Sequence, residues 1–317
     1  MGCTMQEYTV GWICALPIEL AAARKMLDEE HQDLERNTTN ENLYSLGSIA
    51  GHNTVIVCLP AGRIGHNPAA GVATQMRATF KGIRFGLMVG IGGGVPSAEA
   101  DIRLGDVVVS QPHRTSGGVI QYDFGKATPG GFERAGSLDA PPQILLGAVA
   151  SVRADELLGR STLPKHVSRL DEIPTFQRDR AGPDRLFGAA YEHGGGQTCA
   201  QCSADRQENR RAREGEQVMI HYGTIADMLS RELGGILCFE MEAAGLMNTF
   251  LCLVIRGICD YADSHKNKTW QPYAAGMAAA YAKEILSAIP LAEADKTNAL
   301  QEALGRNSSQ PWSRGGG

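Results

Sequence analysis

Three carboxylates close two apolar runs in the segment 237–263, LCFEMEAAGLMNTFLCLVIRGICDYAD. The run Ile236, Leu237, Cys238, Phe239 stops at Glu240-Met241-Glu242. The run 251–255 continues through Arg256-Gly257-Ile258 and stops at Cys259-Asp260. Continuous apolar runs with a helix between them predict parallel strands buried on both faces, and residues 243–250 have the Ala, Leu and Met content of a short helix. Ligands of such sheets collect outside the carboxyl ends of the strands. Glu240, Glu242 and Asp260 are therefore expected on one rim, around one crevice. Acid–base and charge-stabilising work is within reach of such a set, although alone it names no reaction. Most Glu and Asp are solvated loop residues; three of them at two strand ends weigh against that reading.

Two further groups of residues invite chemistry. Glu19 follows Pro17 in the first turn of an expected helix, where a carboxylate is favoured whatever its purpose. His193, Cys199 and Cys202, in HGGGQTCAQC, supply three zinc ligands, with His221 or another side chain as a fourth. A structural zinc is one reading of that motif; a solvated cysteine loop is the other.

The elements that must position these residues follow from the chain in order. Residues 8–16 read as a first strand, 43–49 and 53–59 as a hairpin, and 68–80 as a helix. The loop Ala61-Gly62-Arg63-Ile64-Gly65-His66-Asn67 precedes that helix. A buried strand at 85–89 ends in Gly90-Ile91-Gly92-Gly93-Gly94, and another strand is expected within 102–110. The glycine loops offer backbone N–H groups to an oxyanion, water or hydroxyl. Gly90-Ile91-Gly92 opens like a dinucleotide fingerprint, but the third glycine is misplaced and Pro96 interrupts the following helix. With no Gly-Lys-Ser/Thr, a P-loop is excluded. Residues 115–216 read as an insertion containing a helix at 143–158, and 273–289 as a final amphipathic helix. The chain thus reads as one domain over 1–290 and a disordered tail or linker over 291–317.

Composition narrows the class. At 317 residues the chain can bury a substantial core. Lys+Arg 30 against Asp+Glu 35, a formal net charge of −5, provides no footprint for nucleic acid or an anionic membrane. No apolar run reaches the roughly 18 residues of a bilayer span, and the start MGCTMQEYTV has neither a basic segment nor an apolar signal core. Most of the eight cysteines lie in apolar runs. A cytoplasmic location is expected.

Six motifs in order, GWICALPIELAAA, AGRIGHNPAA, VGIGGGVPS, DIRLGDVVVS, FEMEAAGLMN and VIRGICDYADSHKNK, resemble the purine nucleoside phosphorylase/uridine phosphorylase superfamily. The chain is more similar to its methylthioadenosine/S-adenosylhomocysteine nucleosidases, and more so to the nucleoside-phosphorylase-like domains at the N-terminus of fungal NOD-like receptor proteins. The resemblance covers about residues 8–290. It implies a three-layer α/β/α fold with a central mixed, partly barrel-like sheet, cleavage of the N-glycosidic bond of a purine nucleoside or nucleotide, no required cofactor, and a homo-oligomer. Asp260 then matches the acid that protonates N7 of the leaving purine, which needs a raised pKa. Glu242 matches the carboxylate on the ribose hydroxyls, with Met241 beneath the sugar. Glu19 matches the carboxylate that activates water. Glu240, Gly62, Arg63, Gly92 and Gly93 complete the implied substrate-binding set.

The resemblance also separates two reactions. Phosphorylases of the superfamily have arginine where this chain has Met88, before Val89-Gly90, and a Gly-Asp-Pro segment where it has Pro17-Ile18-Glu19. Methionine cannot replace a bidentate phosphate contact, so water is the expected nucleophile. Arg63 and His66 keep a phosphate-dependent phosphorylase as one alternative, and a non-catalytic nucleoside-sensing module is another. The chain departs from its fungal relatives after Ala226, where their Ser-Gly-Asn stretch is missing, and at Cys259, where the nucleosidases often have serine.

Overall fold

The computed structural model describes residues 3–32, 34, 40–129, 131–195, 199–213, 218–226, 235–266 and 268–292. The first half of the chain contributes β1 (Val10–Cys14), α1 (Pro17–Lys25), β2 (Glu29–Glu30), β3 (Tyr44–Ile49), β4 (His52–Cys58), α2 (His66–Thr79), β5 (Phe85–Gly94) and β6 (Val107–Ser110). Between β6 and the next long strand lie β7 (Val119–Ile120), the hairpin β8 (Gly125–Thr128) and β9 (Gly131–Arg134), α3 (Gln143–Leu157), α4 (Leu163–Val167) and α5 (Arg178–Ala181). Three strands and a helix finish the fold: β10 (Ile220–Ala226), β11 (Ile236–Phe239), β12 (Cys252–Asp260) and α6 (Gln271–Ser287).

The main sheet runs β11-β10-β6-β12-β5-β1-β4-β3-β2. It is mixed: β1 lies parallel to β4 and β5, whereas β12 lies parallel to β5 and antiparallel to β6. The upper part of β5 bends over and pairs antiparallel with β11, Cys238 opposite Gly94 and Phe239 opposite Gly93. That pairing closes β5, β12, β6, β10 and β11 into a ring, so one end of the sheet is a partial barrel. Side chains alternate between two apolar layers. Val10, Trp12, Leu253 and Ile255 join α1, α3 and α6 on one face; Ile13, Val254 and Met88 join α2 on the other. This is the expected three-layer architecture. α6 can lie close to β12 because its buried side is rich in alanine, and a Cβ on Gly257 would collide with the backbone of Ala274.

Three local expectations need correction. Residues 243–250 form no α-helix: Ala243–Gly245 is a single 3-10 turn, because the chain must turn sharply beneath the carboxylates. The two strands of that segment are not parallel neighbours, since β5 pairs with both, parallel to β12 and antiparallel to β11. Gly90–Gly94 is not a loop but the bent half of β5. Glycine is a poor strand former, yet here side chains must approach the strand too closely for any Cβ. The expected tail falls, beyond residue 292, outside the described residues.

Candidate active site

Gly90 marks the centre of the site. A Cβ there would strike the Glu19 carboxylate and, at 2.5 Å, Arg256 Nη1. Both charged groups are thus laid directly on the strand. Glu19 occupies the third position of α1, whose Pro17 start presets the first turn. Its Oε2 accepts from the N–H groups of Ala15 (2.7 Å) and Leu16 (2.9 Å), and its Oε1 from Ile91 (2.8 Å). The carboxylate therefore clips β1, α1 and β5 together, and only 4% of the residue is exposed.

Arg256 projects from the middle of β12 and is 1% exposed. Its Nη2 bonds Glu240 and lies 3.5 Å from Glu242 Oε2. Glu240 is consumed within this cluster: besides Arg256 it accepts from the N–H groups of Glu242 (3.1 Å) and Ala243 (2.9 Å). Through these contacts it positions Arg256 and the 3-10 turn. Glu242 is less committed. Its Oε1 accepts a long bond (3.3 Å) from Gly65 N–H, at the start of α2. Gly65 has φ +100, a conformation that L side chains rarely adopt, so the approach needs glycine there.

Asp260 stands further along. It pairs with Gly93 in the β12–β5 ladder while Arg256 pairs with Gly90, so about 10 Å of strand separates the two positions. A Cβ on Gly93 would lie 2.8 Å from Asp260 Oδ1. That oxygen accepts from Ala262 N–H (2.9 Å), and Lys266 Nζ is 3.9 Å away. The Cys259 thiol donates to Oδ2 at 3.5 Å, occupying the place where serine was the family expectation. Ala262 is a non-glycine residue at φ +53, a strained turn held directly after the acid.

Burial raises the pKa of Glu19, against the opposing pull of Arg256 and three backbone N–H groups. Burial likewise raises Glu242, with Arg256 lowering it and Glu240 and Glu19 adding to the rise. Two buried carboxylates, Glu240 and Glu242, thus pair with one guanidinium, a third, Glu19, lies near it, and Asp260 stands three β5 positions further along.

No family model matches the chain. A nucleotide-binding leucine-rich repeat (NLR)-like protein of Hyaloscypha variabilis is 46% identical over 299 residues, covering 90% of this chain and 30% of that one. The chain thus spans under a third of that relative's length. A 5′-methylthioadenosine/S-adenosylhomocysteine nucleosidase of Mycobacterium bovis is 26% identical over 306 residues, covering 89% of this chain and 97% of the relative. Futalosine hydrolase of Helicobacter pylori superposes with a TM-score of 0.56 at 14% identity, covering 89% of this chain and 99% of that one. The chain is a homologue of the first two and has the nucleoside phosphorylase fold.

Within the nucleoside phosphorylase fold the expected residues separate into groups. Glu19, Glu240 and Glu242 meet around Arg256, and Asp260 lies along the same strand. Met241 is 52% exposed beside them. Gly62 and Arg63 are exposed on the loop that leads to Gly65. A Cβ on Gly92 would meet Cys238 Sγ and the Phe239 carbonyl, so Gly92 permits the closure of the barrel. The missing stretch after Ala226 concerns residues 227–234, outside the described ones. His193, Cys199 and Cys202 come together elsewhere, with ligand atoms within 4.8 Å of one another. His221 does not join them: its Nε2 is 2.9 Å from Asp106 Oδ2, and Asp106 also takes Arg213. Sequence reasoning passed over Arg256, treating it as part of an apolar run. A lone arginine inside such a run was the available signal, since arginine is almost never fully buried unless paired. No described helix is long and apolar enough to cross a membrane.

The raised carboxyls carry a pH consequence. Between the ordinary glutamate value of 4.5 and their folded values, the native state holds protons that the unfolded chain has released. Stability therefore falls as pH rises through that window, and the full cost of burying the charges is present above it. Glu242→Gln removes one such charge while leaving Glu240 on Arg256. We expect it to flatten the decline and to be at least as stable as wild type at neutral pH, measured by thermal unfolding from pH 4 to 8. A variant clearly less stable than wild type at neutral pH would contradict this.

Proposed function

We propose that the chain hydrolyses the N-glycosidic bond of a purine nucleoside or nucleotide, with water as the nucleophile. The observation that carries this reading is the excess of negative charge in a buried cluster: Glu19, Glu240 and Glu242 around the single Arg256. Breaking an N-glycosidic bond builds positive charge on the sugar ring, and fixed carboxylates in a water-poor site stabilise that charge. Glu242 has the acceptor capacity to hold the ribose hydroxyls, since both of its contacts are long. Exposed Met241 packs beneath the sugar. Glu19, held by three N–H groups, orients water and takes its proton. Asp260, about 10 Å away along β5, protonates N7 so that the purine leaves neutral. Two of the relatives are by name a nucleosidase and a hydrolase.

Water is favoured over phosphate because Met88 is fully buried in the apolar layer of α2 and offers no cation at that strand position. Base release is therefore expected to be equally fast with and without phosphate. Incubation with a panel of purine nucleosides and nucleotides, followed by chromatography for free base, checks this. Strict phosphate dependence, with sugar 1-phosphate as product, would place the chain among phosphorylases. The NLR-like relative supports a second reading, in which the same pocket serves nucleoside sensing within a larger protein. All eight cysteines are unpaired, which suits the reducing cytoplasm assigned to either role.

A further inference from the structure

Among its described residues, the segment 185–207 has almost no regular structure. Its described elements are the one-turn 3-10 helices Cys199–Gln201 and Ala204–Arg206, with an isolated bridge between Phe187 and Gln207. Long stretches without regular structure in a packed domain are usually either functional or disordered. Within this one, His193 Nδ1 lies 3.2 Å from Cys202 Sγ, and Cys199 Sγ completes a group within 4.8 Å. Neighbouring ligands of a tetrahedral zinc, bound at about 2.0–2.3 Å, stand about 3.3–3.8 Å apart, so small side-chain movements would complete such a site.

His265 stands beside His193. The side chain of His265 is 3% exposed, yet neither ring nitrogen has a hydrogen-bond partner. Leaving buried polar atoms unpaired is costly. The ring is stacked with Phe187 (4.3 Å between centroids) and Tyr191 (5.4 Å), and its edge meets His193 at 5.5 Å. Asp263 Oδ2 stands 3.3 Å from His265 Nδ1. A carboxylate behind one nitrogen is the usual support for an imidazole that ligates a metal through the other.

We propose that His193, Cys199 and Cys202 bind one Zn²⁺, with His265 as the fourth donor. Binding displaces two thiol protons to solvent, and the imidazoles give lone pairs, so two thiolates balance the ion and the site is neutral. The structural consequence is a clamp. His265 and Ser264 lie on the turn that follows Asp260, and Ser264 Oγ accepts from His193 N–H (2.9 Å). The metal would thus lock the irregular segment against the turn that follows the acid.

Protein purified from zinc-supplemented medium and dialysed without chelator should contain about one equivalent of zinc by mass spectrometry. Cobalt exchanged into the stripped protein should give a thiolate charge-transfer band and the visible bands of a tetrahedral site. Cys199→Ser with Cys202→Ser should remove the metal, and His265→Ala should weaken it by at least the roughly 10–100-fold that loss of a group supporting a ligand costs. If the double variant fails to fold, alkylation of wild type decides: zinc should protect Cys199 and Cys202, and stripping should expose them. Folded protein that stays metal-free, a Cys199–Cys202 disulfide in freshly reduced and zinc-treated protein, or alkylation indifferent to zinc would overturn the site. Unchanged affinity in His265→Ala would overturn the fourth ligand.

Discussion

Asp260→Asn is expected to keep the fold and nucleoside binding while losing most base release, by about 10²–10⁴-fold, the usual contribution of general acid catalysis. The amide retains an oxygen that can accept from Ala262 N–H, the 2.9 Å bond that holds the turn after β12. What it lacks is a proton to transfer to N7 of the leaving purine. If Asp260 only caps the turn, the outcome differs: turnover per folded molecule stays near normal, and stability falls chiefly in a variant that loses the Ala262 bond. Rates normalised to folded protein separate the two, with Asp260→Ala as a control that also loses the Ala262 bond. An Asp260→Asn protein with wild-type turnover would remove the acid role and the main support for catalysis along this strand.

Arg256→Met should be the most destabilising single change at the site, by about 3–5 kcal/mol. The guanidinium lies at 1% exposure between Glu240 and Glu242, and Glu19 approaches Gly90 of β5 beside it. A methionine fills much of the volume but leaves carboxylates in a low-dielectric site without a counter-charge. Glu240→Gln in the same background should restore part of the loss, because the two residues form one unit. Denaturant unfolding of the two single variants and the double measures the coupling. A loss below about 1 kcal/mol for Arg256→Met, in the range of a solvent-exposed pair, would mean that the cluster is not the buried ionic centre described here.

How much of this was legible in the sequence depends on the residue. The helix beginning at Pro17 and the hairpin of β3 and β4 follow from local propensity and turn chemistry, and the structure has them close to the expected bounds. The fold class followed from the order of six motifs rather than from periodicity. The bend of β5 was hidden because Gly90, Gly92, Gly93 and Gly94 read locally as a loop. Their reason is tertiary: Glu19, Arg256, Cys238, Asp260 and Ile258 all press on the strand where a Cβ would sit. The turn at Ala243–Gly245 was hidden for a related reason, since helical composition yields there to the N–H groups that Glu240 draws in. Glu240 itself could be seen as a strand-end acid, but its pairing with Arg256 joins residues on two strands that only the closed barrel brings together. His265 carried no local signal, because its neighbours Phe187 and His193 are distant in sequence and reached only through the fold.

The most direct test follows nucleoside binding and free base in one phosphate-free sample of folded wild-type protein, by calorimetry and then chromatography. Hydrolysis at this site predicts binding followed by stoichiometric release of purine and free sugar, at a rate abolished together by Glu19→Gln and Asp260→Asn. Binding without any base above the protein-free blank would contradict that account and leave the pocket as a nucleoside sensor.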